Sequence, residues 1–528
     1  MTGQGLSLDA WSEVVEHVGR DDLLNLCLVS RLLKAVATRV LYRSITLEPR
    51  LYNLGLVDTN VDQSQLPQFE QRGHWNLLSR LGSKENQSLR NLVQEVILLR
   101  PSNEAIPLDK AFLNSLRKDD HFSKLLTTLP NLRRVTIGIP ELQTDHVIRT
   151  LSAHSKKPEL SLILDGYDQR ISTDSPLPCI SSLAVAGDPR SHRKENGLLK
   201  FQQLVFNSPN LRSLSIAVLD DYNGRMRRAR RAGMHLTFYL EGDERFPPLE
   251  ELALNGYVMK DGEASLWQSN VQWEKLASLT VGPLPCWSVL PGFAGYATAL
   301  KTLKVFTYHG MIGGEEARIG LEALLSSFDG LEVLDVKGVI CSVSAVGQHR
   351  NLSVLCLHED EPQHDDGDAV RTVLTPADIL YLDEHCPRIS SLALDVQRVN
   401  GKLDEKALQA IVTGFRSLRY LSIHFEMGLR DIRRPITPVI NPDTAQSIGQ
   451  DIFNRRKQAG SSLPELTLWT GSSYRSRLYW KPKYLNFERR FTASYTLRQG
   501  EALTSASGLV SEEGEEYEDQ DEDEDEDD

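Results

Sequence analysis

A short apolar phrase, L-x-x-L-x-L in loose form, returns along most of this chain and leaves few folds open to it. Leu129-Pro-Asn-Leu132-Arg-Arg-Val135-Thr-Ile137 and Ser208-Pro-Asn-Leu211-Arg-Ser-Leu214-Ser-Ile216 are near copies of each other. Further units begin at Val93, Ile180, Leu249, Leu276, Leu300, Leu331, Leu352, Ile389, Leu418 and Leu463. A weaker one, Leu160-Ser-Leu162-Ile-Leu164, sits in the widest gap. Apolar residues two apart describe a strand with one buried face. A strand that short cannot bury its face without neighbours, so the units must stack, each as a strand plus a return segment. The Pro ahead of several units keeps the chain extended on entry. The spacing therefore predicts an α/β solenoid over residues 89–470, with parallel strands on its concave face. The alternative is an ordinary α/β domain whose buried strands happen to read L-x-L.

The first fifty residues have a different period. Trp11, Val14, Val15 and Val18 fall on one stripe of a short helix, and Gly19-Arg20-Asp21 interrupts it. Asp21 is placed to cap the next helix. There Val29, Leu33, Val36 and Val40 repeat at helical spacing, while Leu23, Leu24, Leu26, Cys27, Leu28 and Leu32 widen the apolar surface beyond one stripe. So few helices cannot enclose so many apolar side chains, and the surplus predicts a partner surface. Leu6-Ser7-Leu8-Asp9-Ala10-Trp11, then Asp22-Leu23-Leu24-Asn25-Leu26-Cys27-Leu28-Val29-Ser30-Arg31 and Leu41-Tyr42-Arg43-Ser44-Ile45-Thr46-Leu47, resembles an F-box. Ser7 and Asp9 stand where the family pattern has Pro and Glu. The resemblance implies docking onto a Skp-type adaptor and, through it, a cullin. The contacts it implies are Leu6, Leu8, Trp11, Val14, Leu23, Leu24, Leu28, Val29, Leu32 and Leu33. From the residues alone, an unrelated helical cap for the following domain is the other reading.

The recurring phrase itself resembles leucine-rich repeats. His385-Cys386-Pro387-Arg388-Ile389-Ser-Ser-Leu392-Ala-Leu394 is nearest to the cysteine-containing repeats of F-box proteins. Eight residues after the first leucine, where that family places Asn or Cys, this chain has Pro140, Asp188, Leu219, Tyr257 and others. An irregular array with long insertions is expected. With the first leucine as position 1, positions 3, 5 and 7 should face solvent on the concave side. Candidate substrate contacts there are Arg134, Glu251, Lys304, Asp335, Lys337, His358, Asp395, Tyr420 and His424. Position 7 of four successive units reads Lys337, His358, Asp395, His424, and adjacent strands about 4.8 Å apart would align these as a ladder. The ladder has three readings: a hydrated polar surface, a His-Asp-His metal row, or a cationic grip on an acidic or phosphorylated motif. Metal ligands must converge, which a straight line does not imply, so no metal and no cofactor is assigned. No H-E-x-x-H, G-x-S-x-G or phosphate-loop pattern occurs, no catalytic residue is assigned, and the chain reads as non-enzymatic.

Charge adds little about the fold. The formal net charge is −13, but 14 of the 72 acidic residues lie in the last 18 positions, which hold no Lys or Arg. The other 510 residues carry 59 basic and 58 acidic side chains. So dense an acidic run cannot bury enough apolar surface to offset its ordering entropy, and residues 501–528 are expected to be a disordered tail. Ahead of it, residues 471–500 interleave seven Lys or Arg with seven aromatics. That strip reads as a terminal cap over the last repeat, or else as a single-strand nucleic-acid surface. Arg225-Met-Arg227-Arg228-Ala-Arg230-Arg231 reads as a solvated insertion or as an import or acidic-partner patch, and 358–368 as an acidic insertion. Six cysteines without a C-x-x-C pair suggest no disulfide framework. No apolar run reaches membrane-span length and no secretory signal opens the chain, so a cytoplasmic or nuclear location is expected.

Taken together, the expected organisation is an F-box over 1–50, a linker over 51–88, a leucine-rich-repeat solenoid over 89–470, a basic aromatic cap over 471–500 and an acidic tail. The expected role is the non-catalytic substrate-recognition subunit of a cullin-type ubiquitin ligase, holding an unnamed protein substrate on the repeats. The alternatives are a protein-interaction scaffold that joins no ligase, and a nucleic-acid-associated repeat protein using 471–500.

Overall fold

The computed structural model describes residues 8–47, 77, 80–100, 110–117, 120–165, 171–187, 197–218, 238, 244–259, 262–282, 286–307, 314–359, 361, 371–399, 402–426, 440–470, 494–500 and 505–507. It forms two units, residues 1–279 and 280–528, with the division inside the strand Ser278–Gly282. Each unit is mixed α/β and carries a parallel sheet whose strands follow one another in chain order. No helix among the described residues is long and apolar enough to cross a membrane.

The first unit opens with three helices, α1 (Leu8–Glu16), α2 (Arg20–Val29) and α3 (Arg31–Arg43). Ser30 separates the last two. Its backbone is extended, and its Oγ accepts from the Leu33 amide at 3.1 Å, satisfying one of the donors left open at a helix start. Asp21, expected to cap the second helix, lies inside it instead: α2 begins at Arg20, and its N-cap position is Gly19. Val15, Leu23, Val36 and Ala37 form a small core, with Trp11, Val18, Leu26, Cys27, Val40 and Leu41 packed around it. Arg43 Nη1 reaches Glu16 Oε1 at 2.9 Å and ties α3 to α1.

α3 runs directly into β1 (Ser44–Leu47), which pairs in parallel with β2 (Glu95–Leu98). The sheet thus starts inside the stretch expected to be a separate helical module. Residues 51–88, expected as a linker, fall between its first two strands. β3 (Arg134–Ile137), β4 (Glu159–Asp165), β5 (Ile180–Gly187), β6 (Ser213–Val218) and β7 (Glu251–Asn255) follow in order, all parallel. β4 is the weak unit at Leu160, here a full member of the sheet. β8 (Ser278–Gly282) lies at the division.

The second unit continues with β9 (Thr302–Phe306), β10 (Val333–Lys337), β11 (Val354–His358) and β12 (Ser391–Asp395). A two-stranded antiparallel hairpin, β13 (Arg398–Val399) and β14 (Lys402–Leu403), leaves the sheet before β15 (Tyr420–Phe425) and β16 (Glu465–Thr470) resume it in parallel. Then the direction reverses: β17 (Ser494–Arg498) pairs antiparallel with β16, and β18 (Ser505–Ser507) with β17. β17 occupies the backbone groups that β16, the last parallel strand, would otherwise leave open. β17 lies in the stretch expected to be a terminal cap. β18 lies inside 501–528, so the tail expected from Glu501 onward is in part a strand. Residues 471–493, 508–528 and the Arg225–Arg231 cluster lie outside the described residues.

The repeats stack through backbone and through one recurrent side chain. In both copies of the Pro-Asn-Leu phrase the Asn donates one unit back, Asn131 Nδ2 to Asn91 O at 2.6 Å and Asn210 Nδ2 to Pro178 O at 2.7 Å. Buried apolar side chains alternate along the parallel strands, and Leu334, Leu355 and Leu392 are at most 1% exposed. Where the regular Asn is missing, other chemistry takes over. Tyr257 is buried and its hydroxyl donates to Glu263, which also accepts from Trp267 Nε1 at 3.4 Å and the Phe238 amide at 3.3 Å. Burial, with the Glu263 charge beside it, pushes the Tyr257 phenol above its ordinary range. Gly338, at φ +91°, follows β10 where a Cβ would run into the Thr307 carbonyl oxygen, so only glycine fits.

Candidate docking face and a buried histidine row

Two arrangements in the molecule go beyond packing, one exposed and one enclosed. On α1 to α3, Val14, Leu24, Leu28, Val29 and Leu32 point outward, with Leu28 86% and Val29 69% exposed. Leu28, the most exposed, would gain roughly 1.5–3 kcal/mol if a partner covered it fully, and the half-exposed ones less. The helices already have their own core, so these residues are surplus to folding. Of the expected adaptor contacts, Leu23 is instead part of that core, Trp11 packs against it, and Leu33 is half-buried. Leu6 and the Leu8 side chain lie outside the described residues.

The sheet positions behave in two ways. Arg134 and Glu251 in the first unit are exposed, paired with Glu95 at 3.4 Å and with Ser213 Oγ at 3.0 Å. In the second unit Lys304 and Asp335 align on adjacent strands, and Tyr420 is exposed. Lys337 lies 3.7 Å from Asp335 and 5.5 Å from the centre of the Phe306 ring. The ladder register is present: Lys337 pairs with His358 across β10 and β11, and Asp395 with His424 across β12 and β15.

The expectation of solvent exposure fails for three of the four rungs. His358, Asp395 and His424 are at most 2% exposed. Position 7 is the last or next-to-last residue of its strand, close to where return segments begin, and here side chains from elsewhere cover it. Arg371 comes in from the segment after β11, and Trp469 from the matching position of β16. The indole lies 4.7 Å from the His358 ring and 4.5 Å from the His424 ring, and the two imidazoles are 4.7 Å apart.

The enclosed ionisable groups lie against one another. Asp395 Oδ1 accepts from His358 Nδ1 at 2.7 Å and lies 2.7 Å from Arg371 Nη2. Asp395 Oδ2 accepts from the Glu359 amide at 2.7 Å. Nη2 also donates to His424 Nδ1 at 2.8 Å and lies 3.5 Å from His358 Nδ1. Donor atoms of the three row residues fall within 4.8 Å of one another, a span that would suit a small cation. The Arg371 nitrogen touches all three, so the space between them holds a guanidinium. The row is a buried ion pair flanked by imidazoles, which is neither the hydrated surface nor the metal row considered from sequence. The repeat pattern did not point to Arg371 or Trp469, nor to Glu361, whose buried carboxylate lies 3.8 Å from His424 Nε2. Only Trp469 had a readable signal, as position 7 of the unit that begins at Leu463.

No protein-family model matches this chain, and no curated protein matches it at a significant level.

Proposed function

We propose that the chain is a substrate-recognition adaptor of a cullin-type ubiquitin ligase. In this reading α1 to α3 dock a Skp-type adaptor, and the sheet faces hold a protein substrate. One observation carries it: Val14, Leu24, Leu28, Val29 and Leu32 are exposed on helices that already possess a core. Water-exposed leucine at that density is costly unless a partner covers it. The direct passage from α3 into β1 supports the reading, because it leaves no free hinge between the docking helices and the first strand. The mechanism is positional. A substrate held on the sheet reaches a high effective concentration near the conjugating enzyme, with no chemistry supplied by this chain.

The test is affinity purification of the intact chain from cells. Co-elution of both a Skp-type adaptor and a cullin is the expected result. Adaptor without cullin would instead indicate an interaction scaffold outside the ligase, and recovery of neither would remove the proposal.

A further inference from the structure

The turns leading into β11, β12 and β15 carry positive charge that no neighbouring carboxylate balances. Arg350 precedes β11, Arg388 precedes β12, and Arg416 and Arg419 precede β15; all four are exposed. Contacts between the turns set them side by side. Arg388 Nη1 donates to Asn351 Oδ1 at 2.8 Å, and Ser417 Oγ donates to Pro387 O at 3.3 Å. The Ser390 amide donates to Ser353 O and the Arg419 amide to Ser390 O, each at 2.8 Å. With adjacent strands about 4.8 Å apart, the three turns span roughly 10 Å.

At the same end of other strands, cations meet carboxylates: Arg134 with Glu95, Arg212 with Glu159, Lys301 with Glu332, and Arg498 with Glu465. Among the described residues none of the four ridge arginines forms an ion pair. Ser353 and Ser390 stand where β10 has Glu332. The exposed carboxylates of Asp329 and Glu384 form no ion pair with the ridge either. Like charges on adjacent strands repel, and guanidinium forks match carboxylates in pairs.

We propose that this arginine ridge holds the acidic run of the same chain, residues 511–528, as an intramolecular strap. The run supplies 14 Asp or Glu and no Lys or Arg. It is also within reach. The last residue of β18, Ser507, pairs with Ser494, Ser494 with Trp469, and Trp469 with His424, so the chain leaves the sheet at the strand end opposite the ridge. Three strand spacings across and five residues along put Arg419 about 22 Å away. Eight extended residues cover about 26 Å, which leaves the acidic residues from Glu515 onward to lie along the ridge. A tethered segment competes at an effective concentration on the order of millimolar, so weak individual pairs suffice. The strap closes the ridge to other acidic partners, and salt opens it. It is independent of docking by α1 to α3. The same arginines suit a nucleic-acid backbone, but the acidic run is covalently attached and complementary in charge.

A fluorescein-labelled peptide of residues 511–528, titrated into the full-length chain at low salt and followed by polarisation, tests this. A full-length chain with every Asp→Asn and Glu→Gln over 511–528 should bind the peptide at least about tenfold more tightly than the wild type, whose own run competes. Adding Arg350→Gln, Arg388→Gln, Arg416→Gln and Arg419→Gln to that neutral chain should remove the binding. So should about 1 M salt, where the screening length is about 3 Å. The arginines are exposed, so the unfolding midpoint should hold. Equal affinity of the wild-type and neutral chains overturns the strap, as does binding that survives loss of the four arginines. Competition that fades as the wild-type chain is diluted would place the run on a second copy and overturn the intramolecular contact. A single-stranded oligonucleotide that binds both chains equally well through these arginines overturns it in favour of a nucleic-acid ridge.

Discussion

The helices α1 to α3 and the sheet strands are both rich in leucine and valine, yet they place them in opposite surroundings. In β10, Leu334 is 0% exposed, while on α2 Leu28 is 86% exposed. Repetition explains the first case: each strand covers the apolar face of the one before it. The helices have no repeat to cover them. Their small core encloses Val15, Leu23, Val36 and Ala37 and leaves the rest outside. The same residue type is structural in one region and, in the proposed reading, forms a docking face in the other.

The comparison can be broken first through stability. Leu334→Ala should cost about 3 kcal/mol, the usual penalty for an emptied core site. Leu28→Ala should change stability by no more than about 0.5 kcal/mol. Urea unfolding followed by circular dichroism separates the two, and equal losses would show that Leu28 is part of a core after all. A further effect belongs to the turn after β10. Gly338→Ala should cost more than the roughly 1–3 kcal/mol of a left-handed backbone alone, because the Thr307 carbonyl also resists a Cβ. A midpoint unchanged in the same assay would contradict that.

Thiol chemistry gives the mildest contrast. Burial, with the Glu322 carboxylate adding to it, pushes the Cys341 thiol up to about 12, and burial pushes Cys386 up to about 11. Raised thiols contribute stability that is full below the ordinary value of 9.0 and is lost as pH climbs through the raised values. At pH 8 both stay protonated in the folded chain. Iodoacetamide should therefore label the half-buried Cys27 of α2 before either, and urea should erase the order. Labelling Cys341 as fast as Cys27 in the native state would contradict the burial.

Much of the sheet was legible because its cause is local. A period of two after a turn signal is a property of a few residues, and strands begin two residues after the first leucine at Leu132, Leu331 and Leu352. Even the weak phrase at Leu160 was enough. The exposed helical face was legible too, as an excess of apolar residues over what three helices can enclose. What the sequence hid depends on distant segments. His358, Asp395 and His424 look like solvent-facing rungs until Arg371 and Trp469 fold onto them, and no rule of spacing links Arg371 to His424 across 53 positions. β1 was hidden for a different reason: Ser44–Leu47 belongs to the F-box-like phrase and also supplies a sheet edge, and a pattern reader assigns it only once.

In the proposed reading the exposed face of α1 to α3 is a docking surface. It is tested most directly by replacing Leu28 and Val29 with Asp and repeating the purification beside the wild type. The account predicts that Leu28→Asp with Val29→Asp leaves the unfolding midpoint nearly unchanged and abolishes recovery of the Skp-type adaptor. A doubly substituted chain that folds and still recovers the adaptor at the wild-type level would contradict it.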